Sequence, residues 1–413
     1  MEKQEVNHLG FGKFFGPTYK KHLTRQKEFL ERGRPCGWYF GYHPAEMNYV
    51  FDVVNIFPEQ YSAYCASRGD SGNMIDDYLS MGYGSFLCDY FKCSVGAIDK
   101  PEVATKPLMP KPDFTVDHHT ICLGHRQMAE VHARMYGVPR FSLTFPYLRK
   151  EDIGSFDDIT KVTERMDEDV LEYAVSILHE FASFLKKMTG EEMDEDKFKS
   201  VMKTSEETTK HFTDVLKLFM SKPTPGSQRD LANFPFIGFF IHGSEYGLEY
   251  VKKCHELIKE RVKKREGIVQ DEKFRLITHG IMPWHTLALY DYMEELGATF
   301  PLNPYANCSA VLHDSKRPFE SMARRMSNFC NVEHEGMLDA LVKKAKEADV
   351  DGAILFENTG CRIVSLVMRP IRDALHEELG IPSLIVEAPQ CDPRAMPVER
   401  MKTQIEAFLE SLE

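Results

Sequence analysis

Hydrophobic positions in the first 155 residues come as short runs separated by stretches of helical spacing. CGWYFGY (36–42) is almost unbroken apolar sequence and predicts a strand, and HPAEMNYVFDVVN after it has helical spacing with a proline near its start. FTVDHH predicts a second strand, CLGHRQMAEVHARMYG a helix, and PRFSLTFP (139–146) a third strand. Strand, helix, strand at this length is a βαβ unit and implies a parallel sheet.

The pattern changes between about residues 156 and 222. VTERMDEDVLEYAVSILHEFASFLKKM and DKFKSVMKTSEETTKHFTDVLKLFM are long, amphipathic and nearly free of glycine and proline, which predicts paired helices. SKPTPGSQRD (221–230) is rich in breakers and reads as a linker. Alternation then resumes. FRLITHG, ATFPLN, DGAILFEN and PSLIVEA predict strands, with PWHTLALYDYMEELG, HEGMLDALVKKAKEA and RIVSLVMRPIRDALHEELG as helices between them and a last helix from about residue 397. The expected organisation is an α/β protein with two Rossmann-like parallel-sheet domains, 1–155 and 231–413, and a helical segment with its linker at 156–230.

Composition narrows the function classes. A chain of 413 residues with 43% hydrophobic and 28% charged residues has ordinary globular usage. A formal charge of −12 argues against nucleic acid as a partner, because a polyphosphate needs a basic face. No stretch approaches the apolar length of a membrane span, and MEKQEVNHLGFGKFF lacks the features of an export signal. Ten scattered cysteines without such a signal fit a reducing cytoplasm, and metal or catalytic use fits them better than a disulfide framework.

Three of these cysteines fall at element junctions. Cys122 follows FTVDHH, Cys361 follows DGAILFENTG, and Cys88 opens a helix-like run after the glycine-rich MGYGS. Ligands of open α/β sheets collect at the carboxyl ends of the strands, and a helix N-terminus favours the thiolate that metals bind. The three positions therefore suit one shared centre in the cleft between the domains. Taken singly, each is more commonly a buried packing thiol. Structural zinc uses paired CxxC knuckles, which the chain lacks, whereas thiolates contributed singly suit an iron–sulfur cluster. Three ligands to a four-iron cluster would leave one iron open for a substrate oxygen. Cys93, five residues beyond Cys88, would face about 140° away around a helix and reads as a packing thiol.

CDYFKCSVG resembles the C-x-Y-x-[RK]-x-x-x-G pattern of the benzoyl-CoA reductase and 2-hydroxyacyl-CoA dehydratase family. PAEMNYVFDVVNIFPE, SGNMIDDYLSMGYGSFLCDYFKCSVG, KPLMPKPDFTV, EKFRLITHGIMPW and GCRIVSLVMRPIRDALHEELGIPSLIVEAPQCDPR extend the likeness to the larger cluster-binding subunit of ATP-dependent benzoyl-CoA reductases. The resemblance implies a [4Fe–4S] cluster on Cys88, Cys122 and Cys361, and a homologous second cluster-binding subunit. It also implies an acyl- or aryl-CoA thioester as substrate and a separate activator that hydrolyses ATP and injects electrons.

Adding an electron to such a thioester requires charge stabilisation, proton donors and exclusion of water. His43 and Glu46 in GYHPAEM are candidate proton donors, the family having a glutamate at the position of Glu46. His118 and His119 precede Cys122 closely and are candidates for proton transfer or for a hydrogen bond to a ligand. Trp284 and His285 in GIMPWH are candidate substrate-lining residues, with core packing as the other reading for Trp284. Lys92, Arg126, Arg362 and Arg369 are candidates for the CoA phosphates that nothing in the sequence ranks. The expected activity is reductive dearomatisation of an aryl-CoA. Its alternatives are a (R)-2-hydroxyacyl-CoA dehydratase subunit, a double-cubane-cluster reductase recruiting Cys308, Cys330 or Cys93, an electron-relay subunit, and a metal-free binding protein.

Overall fold

The computed structural model describes residues 3–98, 109–118, 120–149, 166–304, 313–327 and 333–413. His119, Cys308 and Cys330 lie outside the described residues. The apolar runs pair into two four-stranded sheets, each wholly parallel. The first contains β1 (Cys36–Phe40), β2 (Val54–Ile56), β3 (Phe114–Asp117) and β4 (Arg140–Ser142) in the order β2-β1-β3-β4. The second contains β5 (Phe274–His279), β6 (Ala298–Leu302), β7 (Gly352–Glu357) and β8 (Ser383–Glu387) in the order β6-β5-β7-β8. The two sheets are thus topological copies. Each has its switch point, where the strand order reverses, between its two central strands, the position at which α/β sheets take ligands.

One strand departs from the sequence expectation. Helical spacing through HPAEMNYVFDVVN ends at Val50, where the helix Ala45–Val50 stops. Asp52 adopts φ 51°, the Val53 N–H turns back to the Asn48 carbonyl at 2.9 Å, and Val54–Ile56 then pairs beside β1. A β-branched run with an open sheet edge next to it gains more by pairing than by another helical turn.

The expected helices Glu168–Thr189 and Glu195–Phe219 form and pack on the first sheet. Phe184 meets Phe114 and Phe141 at ring separations of 5.3 and 5.1 Å. Helices Phe234–Phe240 and Glu245–Lys264 join this same core through Ile237, Val251, Cys254 and Ile258. The second sheet is covered by its own clusters, one around Leu276 and Phe356 and the other around Ile277 and Leu355. The linker SKPTPGSQRD is docked, with residues 224–228 and Asp230 buried and Lys222 and Arg229 exposed. The Asp230 carboxylate accepts the backbone N–H groups of Leu9, Gly10 and Phe11 at 2.9–3.2 Å, and Ser227 caps the short helix that follows. No helix among the described residues is long and apolar enough to cross a membrane.

Candidate metal centre

The carboxyl ends of the central strands of both sheets open onto one cavity of about 330 Å³. Cys88, Cys122 and Cys361 all line it. Each is the N-cap of a helix: Cys88 of Asp89–Gly96, Cys122 of Leu123–Tyr136 and Cys361 of Arg362–Leu379. Cys122 follows β3 and Cys361 follows β7, the equivalent positions of the two sheets. Cys88 reaches the same space because the domains touch closely there. Gly360, at φ 80°, lies against the Leu87–Cys88 peptide, and a Cβ at that position would stand 2.7 Å from the Leu87 carbonyl oxygen. Asp89 stitches the seam, accepting the N–H groups of Cys391 and Asp392 at 2.9 and 3.2 Å, while the Ser71 hydroxyl donates to the Cys391 carbonyl at 2.6 Å.

The donor set suits a positively charged sulfur-loving centre. Burial pushes the Cys88 thiol well above its ordinary pKa, with Cys361, Asp89 and Cys122 adding to the shift. Burial also pushes Cys361 up to about 12, against the backbone N–H groups of its own helix. Burial and mutual repulsion therefore outweigh the helix N-termini that the sequence suggested would favour thiolates here. Three thiolates can coexist in this space only with cationic charge between them, and iron supplies such charge. At Cys122 the sulfur already accepts the Gly124 N–H at 3.2 Å. Cys93 is fully buried in an apolar cluster with Tyr61, Cys65 and Cys391 and is not on the cavity wall.

Trp284 is on the wall, its indole N–H donating to Tyr90 Oη at 2.5 Å. His285, its neighbour in the 3₁₀ turn Trp284–Thr286, is not, and burial holds its pKa below the ordinary value. His43 and Glu46 are also off the wall. The His43 ring is sandwiched between Tyr39 and Phe57 at 4.4 and 5.0 Å, and burial lowers its pKa to about 3. Glu46 is fully buried and ion-paired with Arg325; burial pushes its pKa up, but Arg325 together with His242 and His313 outweighs that and holds the carboxyl well below its usual range. Its other oxygen accepts the Ser205 hydroxyl at 2.6 Å and lies 3.2 Å from His242 Nδ1. Glu46, His242 and His313 are close enough to share a metal ion, but the guanidinium of Arg325 already supplies the cation there. His118 is buried, with Nδ1 2.8 Å from the Tyr42 carbonyl. Lys92 is committed to Asp89 at 2.7 Å, whereas Arg126, Arg362 and Arg369 are exposed.

The geometry adds wall residues that the sequence did not single out. His125, one turn beyond Cys122, bonds Glu59 at 3.0 Å, and Glu59 accepts the Gly41 N–H at 2.6 Å. Burial opposes a charged ring, but the Glu59 carboxylate outweighs it and raises His125 to about 10. His279, the last residue of β5, and Gln390, whose Oε1 accepts the Cys88 thiol at 3.7 Å, also face the space. The rest of the wall is largely carbon, with Tyr64, Phe236, Phe239 and Phe240 prominent, and no lysine or arginine is among its described residues.

The family model of 2-hydroxyglutaryl-CoA dehydratase, D-component, matches residues 40–412. The (R)-phenyllactyl-CoA dehydratase alpha subunit of Clostridium sporogenes is 25% identical over 385 residues, covering 93% of this chain and 91% of its own. The (R)-2-hydroxyisocaproyl-CoA dehydratase alpha subunit of Clostridioides difficile is 25% identical over 387 residues, with the same coverage of 93% and 91%. A benzoyl-CoA reductase subunit of Thauera aromatica is 22% identical over 386 residues, covering 89% of this chain and 86% of its own. With paired parallel sheets and a match over nearly its whole length, the chain belongs to the 2-hydroxyglutaryl-CoA dehydratase D-component family, which unites the 2-hydroxyacyl-CoA dehydratase and benzoyl-CoA reductase subunits.

Proposed function

We propose that this chain is the cluster-bearing subunit of an ATP-dependent aryl-CoA reductase of the benzoyl-CoA type, with Cys88, Cys122 and Cys361 as ligands of a [4Fe–4S] cluster. The convergence of three helix-capping cysteines from both domains on one cavity carries the reading. When bound, such a cluster supplies single electrons at low potential and one iron open to an oxygen ligand. The chain's own residues do the rest. Trp284, Tyr64 and the phenylalanines exclude water and hold a flat apolar acyl group; with no lysine or arginine on the described wall and His125 already paired with Glu59, an acyl chain ending in a carboxylate is disfavoured. The His125–Glu59 pair braces the first turn of the Cys122 helix against Gly41. Glu46 and His43 belong to the packing behind Tyr42, where Arg325 lies 5.4 Å over the Tyr42 ring, and Glu46 acts there as a counterion. A homologous second subunit and an ATP-hydrolysing iron–sulfur activator complete the system.

A (R)-2-hydroxyacyl-CoA dehydratase subunit is the second reading, favoured by the names of the two relatives at 25% identity. Electron stoichiometry separates the two. The anaerobic complex, supplied with activator, ATP and a titrated reductant, is given benzoyl-CoA or (R)-phenyllactyl-CoA. Two electrons consumed for every product from benzoyl-CoA supports the reductase. Many products per electron from the hydroxyacyl thioester, with benzoyl-CoA untouched, establishes the dehydratase in its place.

A further inference from the structure

We infer that His279 is a substrate-binding residue, its imidazole N–H donating a hydrogen bond to the carbonyl oxygen of the thioester held in the cavity. This rests on the CoA-thioester reading above and assigns the anchoring of the reacting group to this chain.

Position is the first argument. His279 ends β5, a central strand of the second sheet, at the side of the switch point opposite Cys361 beyond β7. Both residues line the cavity. The backbone leaves β5 in a fixed direction immediately afterwards. Gly280 has φ 110°, and a Cβ there would lie 2.3 Å from the Phe356 carbonyl oxygen, so only glycine permits the turn. Asn358 clamps the next residue: its Oδ1 accepts the Ile281 N–H at 2.8 Å, and its Nδ2 donates to the Ile281 and Ala388 carbonyls at 2.8 and 2.9 Å. The imidazole is thus presented by a rigid strand end, the arrangement that preorganises a binding group.

Hydrogen-bond accounting is the second argument. His279 is 5% exposed, and its Nδ1 is shut from solvent without a partner among the described residues. An N–H buried without an acceptor is the more expensive orphan, so the ring does best with its proton on Nε2 and only a lone pair on Nδ1. Two other ring N–H donors on the wall are already used, while Gln390 beside Cys88 accepts the thiol through its Oε1 and keeps a buried Nε2 without a partner among the described residues. His125 is held by Glu59 and lies 3.3 Å from the His118 carbonyl, and the Trp284 N–H goes to Tyr90. Burial lowers the His279 pKa to about 4, so the ring is neutral at physiological pH and donates without carrying charge into an apolar cavity.

The test compares two ligands that differ at one atom. A CoA thioester and the corresponding thioether, which lacks the carbonyl oxygen, are titrated calorimetrically into the anaerobic complex without activator or ATP, so that nothing turns over. Replacing His279 by leucine should weaken the thioester about tenfold, the worth of one buried hydrogen bond, while leaving the thioether unchanged. His279→Gln should recover part of the loss, and thioester affinity should be flat between about pH 6 and 8 because the donor is neutral. Unchanged thioether binding certifies that the variant cavity is intact. Equal weakening of both ligands, or of neither, overturns the assignment of His279 and leaves the thioester reading standing. Wild-type complex that binds neither ligand overturns both.

Discussion

Replacing Glu46 by glutamine tests whether that carboxylate is a proton donor or a buried counterion. Both Glu46 and Arg325 are fully buried, and Arg325 Nε and Nη1 have no hydrogen-bond partner among the described residues. Neutralising Glu46 therefore strands a guanidinium in the interior, a change that typically removes about 3–5 kcal/mol. The surface pair Lys3–Glu295, 57% and 35% exposed, is the internal control, where Glu295→Gln should remove less than about 1 kcal/mol. For a unit of this size, roughly 2–4 °C of Tm accompanies each kcal/mol, so Glu46→Gln should melt roughly 6–20 °C lower. The carboxyl pKa is held well below its usual range, so its contribution is present above that range and is lost only as the pH falls through the folded value. The gap between wild type and variant should therefore be constant from about pH 5 to 8. The assay is anaerobic scanning calorimetry with iron measured on the same samples. A Tm within about 2 °C of wild type would refute the counterion role. A loss of roughly 10²-fold or more in activity per iron, with Tm unchanged, would make Glu46 a proton donor instead.

The His125–Glu59 pair predicts a pH signature. His125 is raised to about 10 in the fold, so its stabilisation is complete below the unfolded value of about 6.5 and declines as the pH rises toward 10. His125→Asn should flatten the fall of Tm between about pH 6.5 and 10, and an unchanged slope would count against the pairing. Gly360→Ala puts a methyl group 2.7 Å from the Leu87 carbonyl at a positive φ. It should destabilise the seam by about 1–3 kcal/mol and lower the iron content while circular dichroism stays native; full iron retention would show that the close approach at Cys88 is dispensable.

The three cysteines were readable because each follows an apolar run or a glycine-rich turn and precedes a helix, a junction that the change of period marks directly. The identical strand orders put Cys122 and Cys361 at equivalent sheet positions, and Cys88 joins them through the close contact at Gly360. What the sequence hides is which way a side chain faces after a strand ends. Trp284 and His285 are adjacent, yet the 3₁₀ turn puts one on the cavity wall and the other off it. His279 is concealed as the last residue of FRLITH, a strand buried along its whole length, where nothing local separates a wall residue from the core. Glu46 reads as a group free for chemistry because its partner Arg325 is 279 residues away and no periodicity connects them. SKPTPGSQRD reads as a linker by composition, but Thr224, Ser227, Gln228 and Asp230 are buried, and the Asp230 carboxylate accepts the backbone N–H groups of Leu9 and Ser227.

Iron and acid-labile sulfide, measured on the anaerobically purified complex and on its single-cysteine variants, decide the matter most directly. The proposed [4Fe–4S] cluster predicts about four irons for this chain, lost together with activity in Cys122→Ala and Cys361→Ala and retained in Cys93→Ala, Cys93 being off the cavity wall. Iron and activity that survive the loss of Cys122 or Cys361 would contradict a metal centre at this cavity.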